Sequence, residues 1–216
     1  MSADAAEVAS PPRRARRYDS SLRKRMAQQN RKAVLDAATV LFADRGWAAS
    51  VRDIARSAGV SVETVYAHFG SKIELFTQVV DVAVVGDDEP VALIDRPEFA
   101  AISRGSRHER AVAAAALNTA INERTISLFI ALREAAAVEP ALATRLEVLR
   151  ESQRRTIHDA AAVVAGREVA PRDADGLWAL LSQDVYGLLC GSAGWSPTQY
   201  REWVAEAITT LLHLDD

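Results

Sequence analysis

The run from Ser50 to Lys72 limits the possible folds of this chain more than any other stretch. It reads Ser-Val-Arg-Asp-Ile-Ala-Arg-Ser-Ala, then Gly-Val-Ser, then Val-Glu-Thr-Val-Tyr-Ala-His-Phe-Gly-Ser-Lys. The pattern predicts two short helices joined at Gly59, because an apolar stripe at helical spacing ends there at a residue that readily adopts the left-handed conformation. Two helices joined in this way leave the second one on the surface, where it can enter a DNA major groove.

Three serines predict where the helices of this run begin. Ser50 and Ser71 each precede an acidic residue by three positions, which is the spacing of a capping box. Ser61 is a favourable N-cap residue for a second helix over residues 62–69. A further helix is therefore expected to start near Lys72, whose first turn favours phosphate.

The second helix is predicted to have one buried and one outward face. At ~100° per residue, Val65 and Phe69 lie together and can pack inward. The outward residues are then Glu63, Thr64, Tyr66 and Ala67. Small, polar and phenolic groups suit a groove-reading helix, although a plain helical hairpin inside an all-α domain would show the same periodicity.

Composition and periodicity predict an all-α fold of about nine helices. Gly and Pro are sparse, at 10 and 7 of 216 residues, and strand-like alternation is hard to find. We expect a helix over 29–44, another over 71–85, separate helices around 111–121 and 126–138, and long ones over 140–165, 172–191 and 197–212. No apolar run approaches the ~18–20 residues that span a bilayer, and the amino end lacks the apolar stretch of a signal peptide.

The charge distribution separates the two ends of the chain. Residues 1–80 carry 13 Lys/Arg and 8 Asp/Glu, whereas residues 81–216 carry 13 and 21, so a basic amino end precedes an acidic body. Such asymmetry is expected when only one end meets phosphate. We predict a basic, disordered arm over residues 1–28, a DNA-binding domain with its connecting helix over 29–86, and a larger helical body over 87–216.

The arm is either an extra DNA contact or a solubilising tail. Its arginines are candidates for phosphate or minor-groove contacts. Those we single out are Arg13, Arg14, Arg16 and Arg17.

From Ala33 to Phe76 the chain strongly resembles the DNA-binding region of the TetR (tetracycline-repressor-like) family. The resemblance covers about a fifth of the chain. The matching residues are Ala37-Ala38, Leu41-Phe42, Arg45-Gly46, Asp53-Ile54-Ala55, Ala58-Gly59-Val60-Ser61, Val65-Tyr66, His68-Phe69, Lys72 and Leu75-Phe76.

The resemblance implies specific DNA-contacting residues. Arg52 stands where the family places a base or phosphate contact, Glu63 and Thr64 would face base edges, and the start of the second helix at Ser61 and Val62 would lie close to DNA. Tyr66, His68 and Lys72 would hold phosphates. Glu63 could accept a hydrogen bond from cytosine or pair with Arg52, and His68 could instead be a packing residue.

The resemblance also implies a homodimer that binds a near-palindromic double-stranded operator, and an effector pocket in the body. Apolar groups in the last two helices make a broad stripe that could pair with a second copy. The expected interface consists of Leu181, Val185, Leu188, Leu189, Trp203, Val204, Ile208, Leu211 and Leu212. The expected pocket for a small, largely apolar effector consists of Leu117, Asn118, Ile121, Asn122, Phe129, Gln153, Trp178 and Tyr186.

No catalytic, metal or cofactor motif is evident. The four histidines are scattered, and the chain has no HExxH, Walker, GxGxxG or GxSxG sequence. Cys190 is the only cysteine, which excludes an internal disulfide and suits a reducing cytoplasm. We expect a repressor that an effector releases. The alternatives are a ligand-independent regulator or activator, and an all-α enzyme or ligand carrier.

Overall fold

The computed structural model describes residues 13–87 and 93–214, and every regular element in these ranges is helical. The helices are α1 (Arg13–Arg45), α2 (Val51–Ala58), α3 (Val62–Phe69), α4 (Lys72–Val85), α5 (Pro97–Ala101), α6 (Arg107–Ala136), α7 (Pro140–Ala165), α8 (Pro171–Leu180), α9 (Gln183–Tyr186) and α10 (Pro197–Leu211). A π-helical turn, Gly187–Ser192, follows α9. The predicted all-α class is confirmed, and no helix of the described ranges is long and apolar enough to cross a membrane.

The predicted helix starts are confirmed by their caps. The side-chain oxygens of Ser50, Ser61 and Ser71 each accept the backbone N–H of the residue three positions on. Ser106 and Ser196 form complete capping boxes at the starts of α6 and α10. Each of these caps satisfies backbone donors that a helix start leaves without an intrahelical partner.

The first helix begins earlier than the sequence indicated. Residues 13–28 were predicted to belong to a disordered arm, but α1 runs without interruption from Arg13. Residues 22–29 are exposed, so this part of α1 extends into solvent without a buried face. The prediction was wrong here because it required an apolar stripe, whereas Lys, Arg, Gln, Met and Leu sustain a helix by propensity alone. Residues 1–12 of the predicted arm lie outside the described residues.

Two other predicted boundaries were wrong. The helices expected around 111–121 and 126–138 form the single helix α6, which contains neither Gly nor Pro to break it. The helix expected over 172–191 is instead interrupted at Leu181. The Ser182 hydroxyl then accepts the Val185 N–H and starts α9. With α5 and α9 counted, ten α-helices occur in the described ranges where nine were expected.

Two hydrophobic cores share α6. The first core combines α1 to α4 with the second half of α6, through Leu128 and Leu132, and with the start of α7. The second combines the first half of α6, through Ala111 and Ala115, with α5, α8, α10 and the end of α7. The helix bundle at the amino end is therefore completed by residues from well beyond position 87.

Buried polar groups fasten α6 to the break between α8 and α9. Asn122 is buried, and its Nδ2 donates to the Leu181 carbonyl at 3.3 Å and to the Tyr200 hydroxyl at 3.2 Å. Asn118 Nδ2 donates to the same hydroxyl at 3.3 Å. Burial raises the pKa of Tyr200 to about 12. The amide of Asn122 thus satisfies a carbonyl that the interrupted helix would otherwise leave unpaired.

Asn122→Ala should destabilise the protein more than Asn118→Ala does. Both changes remove one bond to Tyr200, but only Asn122→Ala also strands the Leu181 carbonyl, and an unsatisfied buried acceptor costs about 1–3 kcal/mol. Urea unfolding at one fixed protein concentration measures both variants. Equal losses of unfolding free energy would contradict this role of Asn122.

Candidate functional site

The helix α2 is held at both of its ends. Ser50 Oγ accepts the Asp53 backbone N–H at 3.1 Å and donates to the Asp53 carboxylate at 2.8 Å. Gly59 ends the helix with φ of 69°, in the left-handed region. Ile54 lies in the first core and is fully buried. These contacts leave the Arg52 side chain exposed in the first turn of α2.

The helix α3 has the two faces that its sequence predicts. Val65 and Phe69 are buried in the first core. Glu63 and Ala67 are exposed, and Tyr66 keeps 47% of its surface exposed. The outward face of α3 therefore presents a carboxylate, a small residue and a phenol to solvent.

The other residues predicted to contact DNA also have roles within the fold. Ser61 caps α3 through the Thr64 N–H at 3.2 Å, and its hydroxyl lies 3.1 Å from the Thr64 hydroxyl. Val62 packs partly against the first core. His68 is half-buried beside Phe69, with ring centroids 6.2 Å apart. Their contacts with DNA stay predictions.

Glu63 carries a negative charge on the outward face of α3. Its own backbone N–H and the Ser61 hydroxyl hold the pKa of this carboxyl below its ordinary value. Such stabilisation is expected at a helix N-terminus. In the described ranges no ion pair joins Glu63 to Arg52, so the pairing considered from the sequence is not formed in the protein alone.

Lys72 anchors the start of α4 inside the protein. Its Nζ donates to the Trp47 carbonyl oxygen at 2.5 Å and lies 4.0 Å from the Trp47 ring centroid. Partial burial lowers the pKa of this ammonium. The Trp47 ring in turn packs on Phe42 and Phe76. In the fold Lys72 thus joins α4 to the turn after α1, and its contact with a DNA phosphate stays a prediction.

Sequence reasoning missed Arg31 as a positioning residue. Its guanidinium donates to Gln78 Oε1 at 2.8 Å and lies 5.6 Å from the Phe69 ring centroid. Arg31 therefore links α1 to both α3 and α4. A basic residue on a polar helix face gives no sequence signal for such a contact, because its partners come from elsewhere in the chain.

The exposed part of α1 adds positive charge at the amino end of the described chain. Arg23, Lys24 and Arg25 are exposed there. For the predicted arm residues the structure gives only a helical backbone, and their DNA contacts stay predictions. Those residues are Arg13, Arg14, Arg16 and Arg17.

The body contains three adjoining cavities. The inner cavity is about 90 Å³ and lies among apolar residues such as Ile102, Val164 and Ile208. The middle cavity is about 180 Å³, and Asn118 and Ile121 line both of these spaces. The outer cavity is about 310 Å³ and shares its lining with the middle cavity. The residues common to the middle and outer cavities are Phe129, Arg150, Gln153 and Gln183.

Six of the eight residues predicted for an effector pocket line these cavities. They are Leu117, Asn118, Ile121, Phe129, Gln153 and Trp178. Asn122 and Tyr186 are not among the residues that line these three cavities, and their contact with an effector stays a prediction. Asn122 is committed to Leu181 and Tyr200. Tyr186 packs edge-on against the Tyr200 ring, with centroids 4.8 Å apart.

Four residues predicted to form a dimer interface are buried within the protomer. They are Leu181, Val204, Ile208 and Leu212. The prediction was wrong for Val204, Ile208 and Leu212 because α10 packs its apolar stripe against α6 and α8 of the same chain, and for Leu181 because the end of α8 lies in the same core. Leu188 keeps 62% of its surface exposed. The remaining four are half-buried, and they are Val185, Leu189, Trp203 and Leu211.

Among the described residues, no group of three or more His, Cys, Asp or Glu side chains lies close enough to hold a metal ion. The outward face of α3 with Arg52, and the three adjoining cavities of the body, are candidate sites for binding.

The amino-terminal helices are similar in sequence to those of known bacterial regulators. The model of bacterial regulatory proteins of the tetR family matches residues 34–79, which include α2, α3 and most of α4. The HTH-type transcriptional repressor Rv3405c of Mycobacterium tuberculosis is 38% identical over 93 residues. That alignment covers 40% of this chain and 46% of the repressor, so the chain matches about half the length of this relative.

Solved structures share the helical fold over most of the chain. A transcriptional regulator from Rhodococcus sp. Rha1 has a TM-score of 0.61 at 23% identity, over 85% of this chain and 96% of its own. The multidrug binding protein EbrR, solved in complex with imidazole, has a TM-score of 0.53 at 20% identity, over 84% and 93%. The amino-terminal helices therefore match the TetR family of transcriptional regulators in sequence, and the fold shared with these solved structures extends to the body.

Proposed function

We propose that this protein is a transcriptional repressor that binds a near-palindromic double-stranded DNA operator as a homodimer. We further propose that a small molecule, bound in a cavity of the helical body, releases the repressor from the operator. The proposal is that of a binding protein and not of an enzyme. The observation that carries it is the outward face of α3, which no neighbouring element covers at Glu63, Tyr66 and Ala67.

The local geometry supports major-groove binding by α3. A recognition helix must be rigid and must project from its domain, because base contacts require a fixed register. Serine caps and buried residues fix α2 and α3 against α1 and α4. Arg52 can reach a base or a phosphate, while Tyr66 supplies a hydroxyl for the backbone.

The proposed homodimer would place two copies of α3 about one DNA turn, ~34–36 Å, apart. We propose that its interface includes Leu188 together with the half-buried residues of the π-helical turn and α10. Leu188 and Ile130, which is also exposed, line one groove formed by α6, α9 and the π-helical turn. Exposed apolar groups that adjoin one another are typical of a surface that another protein covers.

Contacts between the body and α4 support a route for effector release. Val80 and Val84 of α4 line the middle cavity. The same helix starts three residues after α3 ends, at Lys72. A molecule in the middle cavity would therefore touch the helix that carries α3, and it could favour one position of that helix over another.

Polar contacts hold α4 against the body in the described arrangement. Arg145 of α7 forms a short ion pair with Asp81, whose pKa is raised by burial despite the neighbouring guanidinium. Arg124 of α6 donates to the carbonyls of Ala83 and Val84 at 3.1 and 3.2 Å. These bonds would have to lengthen or rearrange if an effector displaced α4.

Selection from a random double-stranded DNA pool is the direct test of this function. We expect the full chain to enrich a near-palindrome, with half-sites about one helical turn apart and with affinity that falls steeply as salt rises. Folded protein that enriches no sequence would contradict operator binding. Operator binding that responds to no small molecule would favour a ligand-independent regulator.

Arg52→Ala should weaken operator binding without unfolding the domain. Loss of a base contact should cost about 1–3 kcal/mol and relax preference at one base pair, whereas loss of a phosphate contact should weaken all sequences alike. Fluorescence anisotropy on the selected operator and on single-base variants distinguishes the two. Arg155→Ala is the matched control, because that arginine is exposed on α7 in the body. Unchanged affinity and preference would remove Arg52 from the interface.

Leu188→Glu should convert the homodimer to a monomer, because a charge would then lie in an apolar contact. Val138→Glu introduces the same charge at another exposed apolar residue, two positions after α6, and should leave the dimer intact. Sedimentation velocity measures the oligomeric state of both variants. A Leu188→Glu protein that stays dimeric would show that the interface lies on another face.

A further inference from the structure

We propose that Glu63 determines part of the operator sequence, and that its carboxylate accepts a hydrogen bond from the 4-amino group of a cytosine in each half-site. The inference rests on the operator-binding function proposed above, and it names one base that the operator should contain. It follows from the place of Glu63 on α3, from the partners of its carboxylate within the protein, and from the donors that a DNA major groove offers.

Glu63 lies where a recognition helix meets the edges of bases. It is the second residue of α3, and its side chain is exposed on the outward face. In helix-turn-helix proteins the amino-terminal residues of the second helix contact base edges in the major groove. Ser61 caps this end of α3, and Val65 is buried in the first core. The position of Glu63 relative to the domain is therefore fixed.

The carboxyl group of Glu63 is an acceptor without a proton. Its own backbone N–H and the Ser61 hydroxyl hold its pKa below the ordinary value, so the group is negatively charged near neutral pH. These two donors use only part of its capacity, because a carboxylate has about four acceptor positions on its two oxygens. The remaining positions can accept hydrogen bonds and can donate none.

The other carboxylate of α2 and α3 already has partners within the protein. Asp53 accepts the Ser50 hydroxyl at 2.8 Å and lies 3.1 Å from a guanidinium nitrogen of Arg56. Glu63, in contrast, forms no ion pair with Arg52 in the described ranges. Within α2 and α3, Glu63 is therefore the carboxylate that a donor on DNA can reach.

DNA offers a carboxylate few suitable partners. Phosphates are negatively charged and repel it. In the major groove guanine presents two acceptors, thymine presents an acceptor and a methyl group, and adenine presents an acceptor next to its amino group. Cytosine presents an amino donor without an acceptor of its own. Among the four bases, cytosine therefore matches the carboxylate of Glu63 best.

The same negative charge makes this contact a discriminating one. If the facing base offers no donor, the carboxylate loses part of its hydration and lies close to phosphates without a partner. A wrong base at this position should therefore weaken binding, and removal of the charge should relieve that penalty. Glu63 would thus contribute more to the choice of sequence than to affinity.

Parallel selections from one random double-stranded DNA pool test the assignment, with the wild-type protein, Glu63→Gln and Glu63→Ala. The wild type should enrich a cytosine at one position of each half-site. Glu63→Gln should enrich adenine there, because glutamine pairs with both groove atoms of adenine, and Glu63→Ala should show no preference. Glu147→Gln is the control, since it neutralises an exposed carboxylate on α7, and it should select the wild-type sequence.

Fluorescence anisotropy then measures the size of the effect on the selected operator. Replacement of the selected C·G pair by T·A in both half-sites should weaken the wild-type protein at least about tenfold, and Glu63→Ala less than about threefold. Circular dichroism should show that Glu63→Ala stays folded, because the side chain that it removes is exposed.

The outcomes separate this inference from the proposed function. The inference is overturned, while operator binding stands, if all proteins select the same half-site or if the altered position is not a cytosine in the wild-type operator. It is also overturned if the Glu63 variants bind every duplex more tightly without a change of preference, since the carboxylate then only repels phosphates. If Arg52→Ala relaxes the same position, Glu63 acts through Arg52 and reads no base. Folded wild-type protein that enriches no sequence would overturn both proposals.

Discussion

The packing of α6 against both cores is the constraint on which the rest of the structure depends. This helix has 30 residues and is about 45 Å long. Its first half contributes Ala111 and Ala115 to the second core, and its second half contributes Leu128 and Leu132 to the first. Gly46 packs closely against it, since a methyl group there would lie 3.9 Å from the Ala131 Cβ. The amino-terminal helices and the body are thus packed against the same helix, α6.

The same arrangement places the cavities where they can influence α3. The helix α6 forms one wall of the middle cavity through Asn118 and Ile121, and α4 forms another through Val80 and Val84. A well-packed protein interior transmits a change in volume to its neighbours and does not absorb it. The proposed effector would therefore act on contacts between α4 and the body, which depend on Arg124 and Arg145.

The features that the sequence predicted correctly depend on residues that lie close together in the chain. The bounds of α3 and α4 follow from Ser61 and Ser71 and from the glycines after each helix, and the structure agrees with them. The outward face of α3 also follows, because helical spacing alone separates Val65 and Phe69 from Glu63. The same kind of reasoning failed for the first half of α1, because the prediction required an apolar face and the helix continues there without one.

The features that the sequence could not predict depend on residues far apart in the chain. Asn122 was assigned to a pocket, but its partners are Leu181 and Tyr200, 59 and 78 positions away. The bond from Lys72 to the carbonyl of Trp47, 25 positions away, likewise had no signal in the sequence. A polar side chain in the sequence shows its capacity to form hydrogen bonds, and only the fold determines which atoms it meets.

The sequence by itself determined the all-α class and the capped pair of helices, because helix starts, helix ends and apolar faces follow from spacings of three, four and seven residues. The resemblance of the amino-terminal helices to the TetR family depends instead on the identity of particular residues, such as Ala58-Gly59-Val60-Ser61. Only the tertiary structure decided which apolar stripes are interior. Val204, Ile208 and Leu212 have the same pattern whether α10 packs on its own chain or on a second copy. Burial against α6 and α8 decides between them, since the hydrophobic effect is not directional and any matching apolar surface can satisfy it.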